Sequence, residues 1–116
     1  MSKPVCVVWN NDAKAYEQAL ARAGLTDQFE MHSLKIDQPL PDDLAARADI
    51  LLGWRPGSYL KNMPRLRYIQ AMTAGVDPWL ASPDLSREVT LCCARGSHRI
   101  SMPENILGAL FHLTKP

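Results

Sequence analysis

The sequence predicts a three-layer α/β sandwich built around a parallel sheet of about five strands. Short apolar runs alternate with stretches of helical periodicity along the whole chain, which is typical of repeated strand–helix units. The apolar fraction of 47% and the charged fraction of 22% are ordinary for a globular domain. A chain of 116 residues can bury roughly two thirds of its unfolded surface in one core. No linker or internal repeat indicates a second domain.

Five apolar runs are the strand candidates. The first, at residues 4–9, is continuously apolar, as expected of a parallel strand that is buried on both faces. The other four are the runs at 29–34, 49–54, 66–71 and 89–94. Because each run is short and is bounded by Gly, Pro, Asn, Asp or Ser, strands are favoured over helices.

The segments between these runs carry helix signals. Residues 12–23 place apolar side chains on one face, and Gly24 is expected to end that helix. Residues 41–48 predict a brief helix with Pro and acidic residues in its first turn. A turn at 55–60 leads into a short helix or loop. Near the end, Ser101 and Glu104 are spaced as a capping box for a helix over 105–113, which is expected to stop at Lys115–Pro116.

Composition argues against several classes of function. The net charge is only +1, so no strong field favours nucleic acid or an anionic membrane surface. No apolar run approaches membrane-spanning length, and no signal peptide follows Met1, so we expect a cytoplasmic protein. The three cysteines follow neither C-x-x-C nor zinc-ligand spacing. The sequence therefore predicts neither a disulfide framework nor a metal site.

Residues 66–77 are the central feature of the sequence. It predicts a strand, a tight loop of small residues at 73–75 and a helix start, with Asp77 as N-cap and Pro78 in the first turn. Small residues allow a ligand to approach the backbone closely. The N–H groups of a helix start suit an anion such as a substrate carboxylate. Trp54 and Arg55 also follow a strand, where they either line a pocket or simply pack under a loop and point into water.

Motifs for nucleotide binding or nucleophilic catalysis are missing. The sequence contains no G-x-G-x-x-G, G-x-x-x-x-G-K or G-x-S-x-G pattern. The histidines are interpreted as non-catalytic: His32 as an exposed or capped side chain, His112 as a packing residue and His98 as a loop residue. Glu104 is explained by the capping box. Trp9 and Trp79 are interpreted as structural anchors.

Several segments in order resemble the N-terminal half of the D-isomer-specific 2-hydroxyacid dehydrogenases, closest to the glyoxylate/hydroxypyruvate reductase branch. They are the segments 48–54, 64–70, 73–77 (which contains Ala-Gly-Val-Asp), 89–93 and 102–105 (Met-Pro-Glu-Asn). The resemblance implies that residues 1–116 form a flavodoxin-like substrate-binding domain, and that the Rossmann domain that binds NAD(P)H is missing after residue 116. Thr73, in place of a usual glycine, and Pro103, in place of a common alanine, depart from the family pattern.

The resemblance also implies roles for particular residues. The backbone N–H groups of Ala74, Gly75 and Val76 would hold the carboxylate of a small 2-oxoacid, and Trp54 and Arg55 would stand near the pocket mouth. The family's catalytic Arg, Glu and His lie outside this chain, so no catalytic, cofactor-binding or metal-binding residue is expected here. Neither His98 nor Glu104 inherits such a role, and NAD(P)H is implied only for a full-length enzyme.

The leading hypothesis is therefore the substrate-binding part of an NAD(P)H-dependent 2-oxoacid reductase that is inactive by itself. The alternative is a stand-alone α/β binding or interaction module without catalysis. In either case the final helix places apolar residues at spacings of three and four. This pattern predicts self-association through residues 102–113.

Overall fold

The computed structural model describes residues 3–114 as a five-stranded, all-parallel sheet flanked by helices. The strands are β1 (Val5–Trp9), β2 (Glu30–Leu34), β3 (Ile50–Gly53), β4 (Tyr68–Ala71) and β5 (Thr90–Cys92). Their spatial order is β2-β1-β3-β4-β5, which is the flavodoxin-like order. Each strand lies inside one of the five predicted runs, so the predicted fold class is confirmed.

Four α-helices and two short 3₁₀ turns connect the strands. The helices are α1 (Ala13–Arg22), α2 (Asp42–Arg47), α3 (Asp77–Leu80) and α4 (Ser101–Thr114), and the 3₁₀ turns are Thr26–Gln28 and Ser58–Asn62. Helix α1 ends just before Gly24, whose φ of 72° is the left-handed conformation that favours glycine. This confirms the predicted helix stop.

Successive side chains along a strand point to opposite faces of the sheet, so the core is divided into two clusters, one on each face. Val5 and Val7 of β1 point to the larger cluster, where α2, the second 3₁₀ turn and the fully buried Trp79 of α3 pack. Cys6 and Val8 point to the other face, where they meet Ala13 of α1 and a rim of half-buried side chains. The sheet is therefore covered on both sides, which is the expected three-layer arrangement.

A buried carboxylate fixes the start of β1. Asp49 is only 7% exposed, and its Oδ2 accepts the backbone N–H of Val5 at 2.9 Å. The backbone N–H of Asp49 donates in return to the Val5 carbonyl, also at 2.9 Å. The side chain of Arg65 lies at the surface, and its Nη2 is 3.6 Å from Oδ1 of Asp49. These contacts join β1 to the residue just before β3 and so help to set their register.

Two predicted helix caps are wrong. Asp77 is the first helical residue of α3, and Val76 occupies the N-cap without a side-chain hydrogen bond. Ser101 is likewise the first helical residue of α4, because the turns at residues 95–100 lead directly into the helix. The N–H of Glu104 donates to the carbonyl of Ile100 at 3.2 Å in a helical hydrogen bond, so no capping box forms. The predicted stop at Lys115–Pro116 lies outside the described residues.

Helix α4 does not pack onto the sheet. All of its 14 residues are exposed, and therefore the interpretation of His112 as a packing residue is wrong. Six large apolar side chains of this helix are between 52% and 77% exposed: Met102, Ile106, Leu107, Leu110, Phe111 and Leu113. Within residues 3–114, no helix is both long enough and apolar enough to cross a membrane.

Candidate functional site

The residues of interest meet at the edge of the sheet where the parallel strands have their carboxyl ends. Trp9 ends β1, Trp54 and Arg55 follow β3, and the loop 72–76 follows β4. The chain runs from β1 outward to β2, then returns to the other side of β1 to form β3. This change of direction between β1 and β3 makes their carboxyl ends the topological switch point of the sheet, where open α/β sheets bind ligands.

Hydrogen bonds tie the loop after β4 to its neighbours in the fold. The N–H of Met72 donates to the carbonyl of Gly53 at 3.0 Å, and the N–H of Ala94 donates to the carbonyl of Thr73 at 2.9 Å. The Thr73 hydroxyl donates to the carbonyl of Gly75 at 2.7 Å. The loop is thus tied to both neighbouring strand ends. Thr73 departs from the family pattern, and its hydroxyl stabilises the turn because it bonds to a carbonyl of the same loop.

Three consecutive backbone donors of this loop have no acceptor within the described part of the chain. Across residues 3–114, the N–H groups of Ala74, Gly75 and Val76 donate to no protein oxygen. A Cβ at Gly75 would meet nothing within 4 Å, so there is open space beside the Cα atom of this residue. Since φ of Gly75 is not positive, the backbone does not need glycine to make the turn. The missing side chain leaves room for a ligand.

The predicted contribution of a helix dipole to anion binding at this loop is small in the structure. Helix α3 is only four residues long, so its macrodipole is small. What the loop offers an anion is therefore its individual N–H groups and the nearby side chains. Trp79, which is 1% exposed, packs under the loop and supports it.

A cavity of about 320 Å³, here called the loop pocket, opens beside Gly75. Ala74 and Val76, the other two residues predicted to hold a carboxylate, line neither this cavity nor the larger one described below. Gly75 and Thr73 line one side, and Trp54 and Arg55 line another. Arg55 takes part in no ion pair within the described chain, so its guanidinium is available to a carboxylate. Asp77 also lines the pocket and opposes a bound anion. The loop pocket therefore combines backbone donors with one cation and one anion.

A second, larger cavity of about 700 Å³ lies at the switch point and is called the switch-point cleft. Trp9 and Tyr59 meet edge to face there, with ring centroids 5.0 Å apart. Burial raises the pKa of the Tyr59 hydroxyl, which donates to the carbonyl of Arg55. Ile36 and Trp54 complete the apolar lining.

The structure thus brings the five predicted site residues, Trp54, Arg55, Ala74, Gly75 and Val76, to one edge of the sheet. Trp54 is 44% exposed and lines both cavities, which favours a pocket-lining tryptophan over one packed under a loop. Arg55 is exposed as well, as the alternative interpretation expected. Sequence reasoning missed Ile36 and Tyr59, and it treated Trp9 only as an anchor. Knowledge of the strand order would have found them, because it places the ends of β1 and β3 side by side.

The histidines lie elsewhere. The Nε2 of His32 is 2.7 Å from Glu30 Oε2 on β2, and this contact, together with Arg47, holds the pKa of the Glu30 carboxyl below its usual range. His98 is in the exposed turn after β5 and lines neither cavity. Within residues 3–114, no three His, Cys, Asp or Glu side chains are grouped as metal ligands would be.

Comparison with solved structures finds a D-isomer specific 2-hydroxyacid dehydrogenase family protein from Aeromonas salmonicida subsp. salmonicida A449. The two share a TM-score of 0.77 and 27% sequence identity over 97% of this chain and 36% of that one. The chain therefore spans about a third of the length of that protein. No protein-family model matches the sequence, and no curated protein matches it. In fold and in sequence the chain is therefore similar to about a third of a D-isomer specific 2-hydroxyacid dehydrogenase family protein.

Proposed function

We propose that this chain is the substrate-binding part of an NAD(P)H-dependent 2-oxoacid reductase. One observation carries the proposal: the three consecutive N–H groups of Ala74, Gly75 and Val76 have no acceptor within residues 3–114, and Gly75 lines an open pocket at the carboxyl edge of the parallel sheet. A 2-oxoacid presents a carboxylate that can accept these hydrogen bonds. Arg55, which lines the same pocket, supplies the matching positive charge.

In this role the chain orients the substrate and does not itself carry out the reduction. Hydrogen bonds from the loop hold the carboxylate, and Trp54 covers one side of the pocket, which limits the access of water. No segment of the sequence has the glycine pattern that cradles a dinucleotide, so the residues of this chain do not hold the cofactor. The proposal assigns NAD(P)H and the catalytic side chains to another part of such an enzyme.

The segments 48–54, 64–70, 73–77, 89–93 and 102–105 resemble most the glyoxylate and hydroxypyruvate branch of the family. The loop pocket, about 320 Å³ in volume, is at the small end of the range for ligand sites, which agrees with a substrate head of two or three carbons. These two points support small 2-oxoacids as ligands of the loop.

A titration of the 15N-labelled chain with glyoxylate tests the proposal. We expect amide shifts centred on residues 73–76 and weak affinity, because each hydrogen bond exchanged with water nets only about 0.5–1.5 kcal/mol. Methylglyoxal, which lacks the carboxylate, is the matched control and should leave these amides unmoved. Shifts centred elsewhere, with 73–76 silent, would overturn the assignment and favour the non-catalytic binding module.

A further inference from the structure

The two faces of the sheet are covered to different extents. Along β3 and β4, the residues on the side of the larger core cluster are all buried: Leu51, Gly53, Ile69 and Ala71. The residues that alternate with them point to the opposite face and are all half-exposed: Ile50, Leu52, Tyr68 and Gln70. Because the parallel sheets of α/β proteins are normally covered on both faces, this alternation shows that one helix layer is incomplete.

The packing of the connecting helices explains the difference. Helices α2 and α3 and the second 3₁₀ turn all pack against the larger cluster. On the opposite face, α1 packs mainly against β1 and β2. The part of that face formed by β3, β4 and β5 is here called the open face, and its half-exposed side chains are Ile50, Leu52, Tyr68, Gln70 and Cys92.

The open face is suited to an apolar helix. It carries no charged side chain. The Tyr68 hydroxyl donates to Oε1 of Gln70 at 2.9 Å, and the side-chain amide of Gln70 donates to the carbonyl of Ala71 at 3.4 Å. These polar groups keep their partners when they are covered. Three adjacent strands span about 10 Å, close to the diameter of one helix with its side chains, about 10–12 Å.

Helix α4 of the same chain has the matching properties. Its apolar side chains recur at spacings of three and four, at 102, 106, 110 and 113. Glu104 is the one Asp, Glu, Lys or Arg residue between 101 and 114. A helix of 14 residues is about 21 Å long, whereas a strand of four residues is about 13 Å long. One α4 helix is therefore long enough to cover the open face.

Helix α4 does not cover the open face of its own chain, since all of its residues are exposed. The N–H of Met102 donates to the carbonyl of His98 at 3.1 Å, and the N–H of Glu104 donates to that of Ile100 at 3.2 Å. Helical hydrogen bonds thus join α4 to the turns at 95–100. Folding the helix back onto its own sheet would break them, whereas the sheet of a second copy can receive α4 in its present conformation.

We propose that two copies of this chain exchange their α4 helices, so that α4 of each copy covers the open face of the other. Reciprocal exchange satisfies two-fold symmetry and is a low-cost route to a dimer. With roughly 100 Å² from each large apolar side chain, the two helices bury about 1,200 Å², and the two open faces add to this area. The total exceeds the lower limit for a specific interface, about 1,200 Å².

This inference is independent of the proposed function, because the open face is a broad face of the sheet and not its carboxyl edge. Sedimentation of the wild type and of Tyr68→Lys tests it. The wild type should form a dimer. Tyr68 is half-exposed, so a lysine is tolerated in the free chain. In the dimer its charge would be covered by an apolar helix, and the dimer Kd should rise at least about tenfold.

Asn62→Lys is the matched control for Tyr68→Lys. It introduces the same charge at an exposed position of the second 3₁₀ turn, which packs on the other side of the sheet. The dimer Kd of this variant should equal that of the wild type. Urea unfolding of both variants checks that each one is folded.

Alkylation of the cysteines gives a second measurement that needs no variant. Cys92 lies on the open face, whereas the next residue, Cys93, packs against the larger cluster on the other side. Raising the protein concentration through the range of dimer formation should slow the alkylation of Cys92 severalfold. The alkylation rate of Cys93 should not change.

Three results would overturn the inference. A dimer that Tyr68→Lys does not weaken means that α4 pairs with another surface, and so does a dimer in which Cys92 is alkylated as fast as in the monomer. A chain that remains monomeric while Cys92 is protected at every concentration has folded α4 onto its own sheet. A monomer with a reactive Cys92 shows that the open face receives no helix.

Discussion

At the residue scale, Gly75 has space for a side chain that it lacks. A Cβ there contacts nothing within 4 Å, and the backbone is not in the left-handed region. We therefore expect Gly75→Ala to leave the free energy of unfolding unchanged or to raise it by about 0.4–1 kcal/mol through the entropy of the unfolded chain. The same change should weaken glyoxylate binding severalfold, because the methyl group enters the ligand space.

Urea unfolding and the NMR titration together check this prediction. Gly53→Ala is a useful contrast, because its Cβ would sit 3.4 Å from atoms of Leu51 and Trp79 and so would act on packing. Loss of stability in Gly75→Ala with unchanged binding would mean that this glycine serves the fold and not a ligand.

Asp49 is the second residue whose role can be tested directly. Its buried carboxylate accepts the N–H of Val5, and truncation leaves that donor without a partner. Asp49→Ala should lower the free energy of unfolding by about 1–3 kcal/mol, measured by urea denaturation. Asp49→Asn keeps an acceptor oxygen and should cost less. Equal losses in the two variants would show that charge, and not the hydrogen bond, is what matters here.

At the element scale, α4 is a helix without a covering surface. An isolated helix of 14 residues is only marginally stable in water, so its apolar side needs a partner. Its six large apolar side chains, which are more than half exposed, offer roughly 100 Å² each, or about 600 Å² per copy. Two copies together would bury about 1,200 Å², the lower limit for a specific interface.

We therefore propose that the chain self-associates through residues 102–113, and sedimentation of the wild type should show dimers or larger species. The double variant Leu110→Glu, Phe111→Lys should sediment as a monomer. The pair Asn105→Glu, His112→Lys introduces the same charges on the opposite side of α4 and should not dissociate the assembly. A wild type that remains monomeric at high concentration refutes the proposal.

At the scale of the whole molecule, the protein is elongated. Its radius of gyration is 17.1 Å, and its extents are 61 × 36 × 24 Å, whereas a compact domain of this length has a radius of about 13 Å. The exposed α4 accounts for the difference, because 14 residues add about 21 Å of helix. The sheet and its other helices form the compact part that carries the candidate site.

The chain as a whole should neither bind NADPH nor oxidise it in the presence of glyoxylate, because its 116 residues contain no dinucleotide-binding glycine pattern. Tryptophan fluorescence during an NADPH titration and the NADPH absorbance during incubation with glyoxylate measure the two properties. Saturable quenching, or any turnover, would contradict this expectation and would place cofactor chemistry within this chain.

The sequence by itself determined the elements and the fold class. Apolar runs such as residues 4–9 and a stop such as Gly24 are local signals, and local sterics and burial enforce them wherever the segment lies. The loop residues 73–76 could be singled out for the same reason, since small residues between a strand and a helix start are visible in one dimension. The predicted helix caps at Asp77 and Ser101 are wrong, because the end of a helix shifts by a residue or two when the flanking residues also adopt helical geometry.

Tertiary structure alone decided which strand ends meet. Trp9 and Tyr59 are 50 positions apart in the sequence, and only the pairing of β1 with β3 brings them together in the switch-point cleft. The same holds for the hydrogen bond between Val5 and Asp49, which are 44 positions apart. These features depend on contacts between distant segments, whose energies are set by the packing of the whole sheet. No local pattern of residues encodes them.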